Sequence, residues 1–238
     1  MNRSVQKTFL SIIVPALNES VGITGTLAAA RLACPGAEIL VVDGGSGDGT
    51  PKLAQQSGAV VLVAPRGRGH QQNAGAAAAS GEVLLFLHAD TLLPLGAGAA
   101  IIAALKVPEV AGGNFRLAFS PPGALNGIFA AVYNARSQRA RHYYGDSCLF
   151  VRRSVFEAMG GFREGMLMED WEFVQRLEAR GRDAGQRTEM LPLTVTTSAR
   201  RFEGRRRWRY VRLWAILHLL HARGVPGDQL ARMYPDIR

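Results

Sequence analysis

The sequence predicts an α/β fold whose sheet is largely parallel. In about the first hundred residues, short apolar segments alternate with segments of helical pattern, as in strands joined by crossover helices. The apolar segments run from Phe9 to Val14, from Glu38 to Val42 and from Val83 to Leu87. Their apolar residues are continuous rather than alternating, which is typical of strands covered on both faces. With 238 residues, 47% of them hydrophobic, the chain can bury one substantial core.

Helices are predicted in the gaps between these strands. In chain order they run from Asn18 or Ser20 to about Leu32, from Thr50 and Pro51 onwards, and from about Gln71 to Ala79. Thr50 is a suitable cap, and proline is favoured at the first helical position. The third helix should stop at Gly81, because glycine commonly follows a helix end.

The second half predicts a looser arrangement of elements. A helix is expected from about Gly96 to Lys106, a strand from Gly112 to Phe119, a short helix with a capping box at Ser154 and Glu157, a helix from Glu169 to Arg180 ended by Gly181, and a helix from Trp208 to Ala222. No flexible linker separates these segments. One domain is therefore predicted over residues 1–238.

The charge of the chain is concentrated at its C-terminal end. The formal net charge is +9, and residues 196–238 contain ten arginines, no lysine and three acidic residues, so +7 of that excess lies there. No apolar stretch approaches the roughly 18 residues of a membrane-spanning helix. Cys34 and Cys148 lack the spacing of a zinc site or a redox dithiol. These features predict a cytoplasmic location.

Two common nucleotide-binding motifs are excluded. A P-loop requires Gly-Lys-Ser/Thr, and none of Lys7, Lys52 and Lys106 follows a glycine. The glycine-rich segment after the second strand lacks the third glycine of a dinucleotide fingerprint, since Thr50 stands at that position. ATPase, GTPase and NAD-binding readings of these types are therefore disfavoured.

Acidic side chains follow the predicted strands instead. Asp43 ends the second strand, Asp90 follows the third in His88-Ala-Asp90, and Asn18 and Glu19 follow the first. Ligands of open α/β sheets bind beyond the carboxyl ends of the strands. We therefore expect these side chains to meet in one crevice. Taken singly, each could instead cap a helix.

The order and spacing of these motifs resemble family 2 glycosyltransferases, in particular small stand-alone bacterial members. The resemblance is carried by residues 11–19, 41–50 and 86–90 together with Gly145-Asp146, 150–153, 160–162 and Glu169-Asp170. It implies a GT-A fold, which is a Rossmann-like, mostly parallel sheet flanked by helices. It also implies a UDP- or GDP-linked sugar donor, a divalent cation (Mg²⁺ or Mn²⁺), and transfer to a hydroxyl acceptor with inversion at the anomeric carbon.

The resemblance divides the domain into a nucleotide-sugar-binding half (1–94), an acceptor and catalytic half (95–198) and a basic helical tail (199–238). It assigns the base and ribose of the donor to four residues, Pro15, Leu17, Glu19 and Asp43. Arg66 or Arg68 would lie along the diphosphate, where a guanidinium group suits phosphate oxygens.

The metal motif of the family, Asp-x-Asp, reads here as His88-Ala-Asp90. Asp90 is expected to bind the cation, because carboxylate oxygen is a hard ligand suited to Mg²⁺ or Mn²⁺. His88 departs from the motif. A contact of His88 with the donor and a role as a metal ligand both stay open.

Glu169 and Asp170 match the acidic pair of the family near the start of a late helix. An inverting transfer needs a carboxylate that takes the proton of the acceptor hydroxyl. Asp170 is predicted to be that base, with Glu169 supporting either Asp170 or the acceptor. Asp146 is predicted to contact the acceptor or the donor sugar. The alternative for the acidic pair is a favourable interaction with the helix dipole.

The arginine-rich tail has several possible roles. In the family, a basic residue after the base helix often reaches the diphosphate, and Arg200 or Arg201 stands at that place. The remaining arginines could contact an anionic membrane at its inner face, hold a lipid-linked acceptor, or form a solvated surface.

Two other functions are open to this sequence. One is a nucleotidyltransferase, which usually has a glycine-rich loop with a basic residue after the first strand; residues 15–19 lack it. The other is a non-enzymatic basic module that binds nucleic acid or anionic lipid through the tail. No nucleic-acid partner is expected, because no recognised nucleic-acid module accompanies the arginines.

Overall fold

The computed structural model describes residues 9–200 and isolated positions between 212 and 230. The strands are β1 (Leu10–Ala16), β2 (Glu38–Asp43), β3 (Val60–Val63), β4 (Val83–Phe86), β5 (Thr91–Leu92), β6 (Val110–Ser120), β7 (Phe150–Arg152) and β8 (Arg187–Ser198). The helices are α1 (Ile23–Ala33), α2 (Thr50–Gln56), α3 (Arg68–Ala78), α4 (Ala97–Leu105), α5 (Ala124–Ala140), α6 (Arg153–Ala158) and α7 (Glu169–Ala184), with a 3₁₀ turn at Gly145–Ser147.

The strands of the described residues form one sheet in the order β3-β2-β1-β4-β7-β6-β8-β5. Strands β3, β2, β1 and β4 run parallel, so their carboxyl ends meet at one edge of the sheet. Strand β7 joins β4 and β6 in antiparallel pairing, and β8 runs parallel to β6. This mixed α/β arrangement confirms the predicted fold class.

Side chains from both faces of the sheet pack against helices. Along β1, Ile12 and Val14 belong to the cluster that includes α1 and α4, whereas Ile13 belongs to the cluster that includes α3, α6 and α7. Every residue of β1 is buried, as its continuous apolar pattern predicts. Among the described residues, no helix is both long enough and apolar enough to cross a membrane.

Several predicted helix ends were wrong. Thr50 is the first residue of α2 rather than its cap, because Gly49 precedes it in the left-handed conformation. Ser154 lies inside α6, which has no side-chain cap. Helix α7 continues past Gly181 to Ala184 and is capped by Gly185, which is in the left-handed conformation. A Cβ at Gly181 would lie 2.8 Å from the carbonyl oxygen of Gln186. Gly181 therefore permits a close approach of backbone rather than ending the helix.

Five elements were not predicted at all: β3, β5, α5, β7 and β8. The helix predicted for 208–222 lies largely outside the described residues, although the described positions 212, 213, 216, 217, 219 and 220 are helical.

Candidate active site

A cavity of about 390 Å³ opens beyond the carboxyl ends of β1 and β4. It is lined by Pro15, Ala16, Leu17, Asn18, Glu19, Arg68, Gln71, His88, Ala89, Asp90 and Arg200. The lining combines two carboxylates with two guanidinium groups and one imidazole. This is the crevice that strand order and the position of the acidic residues predict.

Six of the ten predicted donor-binding residues line this cavity, together with the predicted metal ligand Asp90; the six are Pro15, Leu17, Glu19, Arg68, His88 and Arg200. Asp43, Arg66, Asp146, Glu169 and Asp170 are described but are not part of the lining. Arg201 lies outside the described residues.

Arg200 connects the two carboxylates of the cavity. Its Nη2 lies 2.5 Å from Oε1 of Glu19 and 3.3 Å from Oδ2 of Asp90. The hydrogen bond with Glu19, together with the charges of both acids, raises the pKa of Arg200. The other oxygen of Glu19, Oε2, is buried without a hydrogen-bond partner. Residues up to 181 positions apart in the sequence thus form one charged cluster.

The loops after β1 and β2 are hydrogen-bonded to each other. The backbone N–H of Asn18 donates to Oγ of Ser46, and the N–H of Gly47 donates to Oδ1 of Asn18. The N–H of Glu19 donates to Oγ1 of Thr50, at the start of α2. Glu19 is therefore held at the rim of the cavity by backbone contacts as well as by its ion pair.

The carboxylate of Asp43 accepts hydrogen bonds from its own loop. The donors are the backbone N–H groups of Gly45 and Ser46, both at 2.9 Å, and the hydroxyl of Ser46 at 2.5 Å. The Asp43 side chain is buried. In this conformation Asp43 shapes the glycine-rich loop rather than facing the cavity.

Gln71 is a cavity residue that the sequence analysis did not single out. Its Nε2 donates to the carbonyl oxygens of Ala16 at 2.8 Å and Val42 at 2.7 Å. The side chain therefore ties α3 to the carboxyl ends of both β1 and β2. The sequence signal that could have indicated this role is a glutamine near the start of α3, at a position where an apolar side chain would normally pack on the sheet.

The loop that carries His88 and Asp90 is fixed by hydrogen bonds to its backbone. The hydroxyl of Thr26 donates to the carbonyl oxygen of Ala89, and the N–H of Ser198 donates to that of Asp90. The Asp90 side chain is 18% exposed and faces the cavity. Its position is thus set by α1 and β8, two elements from opposite ends of the described chain.

His88 and Asp146 form a side-chain pair. Nδ1 of His88 lies 3.0 Å from Oδ1 of Asp146, and Nε2 is buried without a hydrogen-bond partner. A Cβ at Gly145 would lie 2.8 Å from that Nε2. The imidazole therefore lies against the 3₁₀ turn, with one nitrogen engaged by Asp146.

The same turn holds Asp170. The N–H of Gly145 donates to Oδ2 of Asp170 at 2.6 Å, and the N–H of Trp171 donates to Oδ1 at 2.7 Å. Asp170 is the second residue of α7 and is 7% exposed. Two backbone donors therefore fix the orientation of its carboxylate.

Glu169 is buried beside Asp170. Burial, and next the charge of Asp170, raise the pKa of Glu169 from 4.5 to about 7, whereas the charges of Arg68 and His88 oppose this rise. Its Oε1 has no hydrogen-bond partner. The acidic pair thus contains one carboxylate held by N–H donors and one that retains its proton more readily.

The donor set for a metal ion is sparse. Among the residues that the structure describes, no group of three or more His, Cys, Asp or Glu side chains could hold a metal by itself. Asp90 presents a single carboxylate to the cavity, with Glu19 beyond Arg200. Such a set fits a cation that takes most of its ligands from phosphate oxygens and water.

Comparisons with known proteins identify the family and the fold of the chain. Residues 11–160 match the family described as glycosyl transferase family 2. Glycosyltransferase AglE from Haloferax volcanii is 29% identical over 170 residues, which cover 65% of this chain and 56% of AglE. The chain therefore spans little more than half the length of this curated relative.

Solved structures share the fold. The mannosyltransferase PcManGT from Pyrobaculum calidifontis, in complex with GDP-Man and Mn²⁺, has a TM-score of 0.65 at 20% identity and aligns over 91% of this chain and 63% of its own. Glucosyl-3-phosphoglycerate synthase from Mycobacterium tuberculosis, in complex with Mn²⁺, UDP and glucosyl-3-phosphoglycerate, has a TM-score of 0.59 at 18% identity and aligns over 92% and 81%. These likenesses confirm the predicted GT-A fold. Because the family match covers more than half of the 238 residues, the chain belongs to glycosyl transferase family 2.

Proposed function

We propose that this protein transfers a sugar from a UDP- or GDP-linked donor to a hydroxyl acceptor, with a divalent cation and with inversion at the anomeric carbon. The observation that carries the proposal is the convergence of Glu19, Arg68, Asp90 and Arg200 on one cavity. The family match supports the reaction class. The ligands named for the two similar structures, GDP-Man and UDP with Mn²⁺, support the donor class and the cation.

The two cavity arginines suit the diphosphate of the donor. Arg68 begins α3, and Arg200 follows β8, so phosphate oxygens could be held from two sides. Pro15, Leu17 and Glu19 would contact the base and ribose. Contacts from Asp43, Arg66 and Arg201 stay predictions of the sequence, as does the division of the chain at residues 94 and 198.

Asp90 would hold the cation together with diphosphate oxygens. The fit rests on its carboxylate at the cavity and on the sparse donor set around it, which suits Mg²⁺ or Mn²⁺ bound through a substrate. The cation would neutralise charge on the departing nucleoside diphosphate. His88 already engages Asp146 through Nδ1 and would border the donor rather than replace Asp90.

Asp170 would accept the proton of the acceptor hydroxyl. Its carboxylate is oriented by the N–H groups of Gly145 and Trp171, so the acceptor would meet a base of fixed position. Glu169, with its pKa raised to about 7, reduces repulsion within the pair when it is protonated. Attack from the side opposite the nucleotide would invert the anomeric carbon.

The acceptor is proposed only as a chemical class. A hydroxyl acceptor follows from the reaction class, and a lipid-linked acceptor stays open. A cytoplasmic location and a membrane contact through the arginine-rich tail also stay predictions, because most of the tail lies outside the described residues.

Product analysis tests the reaction. Purified protein is incubated with UDP-Glc or GDP-Man and Mn²⁺, and the released nucleotide is identified by chromatography. We expect the nucleoside diphosphate, even from slow transfer to water, and a much lower rate for Asp170→Asn. Release of the sugar 1-phosphate instead, with the nucleoside monophosphate transferred to the acceptor or to water, would indicate a nucleotidyltransferase. Equal release by the Asp170→Asn variant would contradict the assignment of the base.

A further inference from the structure

Helix α5 presents apolar side chains to solvent. Leu125, Ile128 and Val132 are 40%, 59% and 61% exposed. On a helix of 3.6 residues per turn, these three positions fall within a sector of about 60°. A surface helix normally turns such a stripe towards the core. The exposed face of α5, defined by these three residues, is therefore reversed relative to the usual amphipathic helix.

The opposite side of α5 packs on the protein through polar groups. Asn134 accepts a hydrogen bond from the N–H of Leu117 at 2.8 Å and donates to its carbonyl oxygen at 3.0 Å. Ser137 is buried, and its hydroxyl accepts a hydrogen bond from Asn114 at 3.0 Å. Tyr133 donates to Oγ of Ser147 at 2.8 Å. These contacts fix the rotation of the helix, so its apolar face cannot turn inwards without breaking them.

The sequence segment that contains this face is basic. Residues 110–145 contain four arginines and no aspartate or glutamate. Two of the arginines, Arg136 and Arg139, lie on α5 itself, and Arg139 is exposed. An apolar helix face accompanied by arginine is the pattern of helices that lie in the interface of a bilayer.

We propose that the exposed face of α5 binds the surface of a bilayer that contains anionic lipid. The apolar side chains would enter the boundary between headgroups and acyl chains, and the exposed Arg139 would meet lipid phosphates. A second copy of the chain fits this face less well, because α5 carries two arginines and no carboxylate that could pair with the arginines of the other copy. The C-terminal segment has an arginine excess too and is disfavoured as an occupant for the same reason.

The proposal differs from a membrane contact through the tail and does not rest on the proposed function. Vesicle binding requires neither a donor nor a cation. Helix α5 also contacts the catalytic region, since Tyr133 accepts a hydrogen bond from the N–H of Tyr144, the residue before Gly145. A bilayer at α5 would therefore lie against an element that supports the turn holding Asp170.

Co-sedimentation with vesicles tests the surface. The full chain is mixed with vesicles of equal parts phosphatidylglycerol and phosphatidylcholine, or of phosphatidylcholine alone. We expect binding to the anionic vesicles and at least a tenfold loss of affinity in the double variant Ile128→Ser, Val132→Ser. The matched control is Leu32→Ser on α1, which removes a side chain that is 69% exposed elsewhere. Arg139→Glu should weaken binding, and Lys52→Glu on α2 should change it less.

A fluorescence measurement locates the contact. Both native cysteines are buried, so Ile128→Cys can be labelled selectively with a polarity-sensitive dye. We expect a blue shift on anionic vesicles and none for labelled Leu32→Cys. The proposal is overturned if the full chain does not bind anionic vesicles, or if the double variant binds them as tightly as the native chain. It is also overturned if light scattering shows that the double substitution converts a dimer into a monomer.

Discussion

The backbone N–H of Gly145 donates a 2.6 Å hydrogen bond to Oδ2 of Asp170, and a Cβ at residue 145 would lie 3.0 Å from that same oxygen. The turn at 145–147 and the start of α7 therefore approach each other as closely as a glycine allows. His88 approaches the same point, since that Cβ would be 2.8 Å from its Nε2. The lack of a Cβ at Gly145 thus lets the predicted base and His88 lie close to each other beside the turn.

Gly145→Ala should impair transfer more than donor binding. The added methyl group must displace Asp170 or His88, and a misplacement of about 1 Å at a catalytic group can cost about 100-fold in rate. Steady-state kinetics should show the loss in kcat, with nucleotide affinity changed little. Gly25→Ala is the control, because a Cβ there contacts nothing within 4 Å. Equal kcat values for both variants would show that the spacing is unimportant.

Asp170→Asn should retain nucleotide binding and lose most of its transfer activity. The amide keeps the shape of the side chain but cannot take up the acceptor proton, and such groups contribute about 10²- to 10⁴-fold. Calorimetry with nucleoside diphosphate measures the first property, and product formation measures the second. A variant with near-native turnover would move the role of base to another group.

Glu169 should make the protein less stable as the pH rises. Its pKa is raised from 4.5 to about 7 by burial, so the folded protein keeps a proton that the unfolded chain has released between these pH values. The free energy of unfolding should therefore fall from about pH 4.5 to pH 7 through this group. Urea unfolding should find Glu169→Gln more stable than the native protein at pH 8, by on the order of 1–3 kcal/mol, and similar at pH 4.5. A variant that is less stable at pH 8 would contradict the raised pKa.

Arg200→Ala should weaken the binding of nucleoside diphosphate. The substitution removes a cation from the cavity and leaves Glu19 and Asp90 without their shared guanidinium group. A hydrogen bond to a charged group contributes about 1.5–3 kcal/mol, so we expect a loss of roughly 10- to 100-fold in affinity. Arg141→Ala, which removes an exposed partner of Glu178, is the matched control in the same titration. A similar effect of both substitutions would exclude a direct role for Arg200.

Strands with continuous burial were predictable from the sequence, but α5 and β8 were not. Helix α5 hides polar residues and exposes apolar ones, so its periodicity indicates the wrong face. Strand β8 contains Pro192 and several threonines, and its pairing with β6 shifts register near Leu191. A proline is tolerated at such an irregularity, although it argues against a central strand in the sequence alone.

The acidic residues at strand ends were predictable because parallel strands end at one edge of a sheet. Contacts between distant segments were not. The pairs Arg200 with Glu19 and His88 with Asp146 depend on how β8 and the turn at 145–147 fold back onto the loops. For Asp43, the position at the end of β2 was predicted from the sequence. Its hydrogen bond with Ser46 was not, because the sequence does not show how the loop folds.

Asp90 and the cavity around it are proposed to bind a nucleoside diphosphate together with a divalent cation. The most direct test is calorimetric titration of the purified chain with UDP and with GDP, in Mn²⁺ and then in EDTA, repeated with Asp90→Asn. We expect binding of one of the two nucleotides in Mn²⁺, at least tenfold weaker binding in EDTA, and little effect of Mn²⁺ on the variant. Two results would contradict this proposal: nucleotide binding that changes neither with EDTA nor with Asp90→Asn, or no binding of either nucleotide.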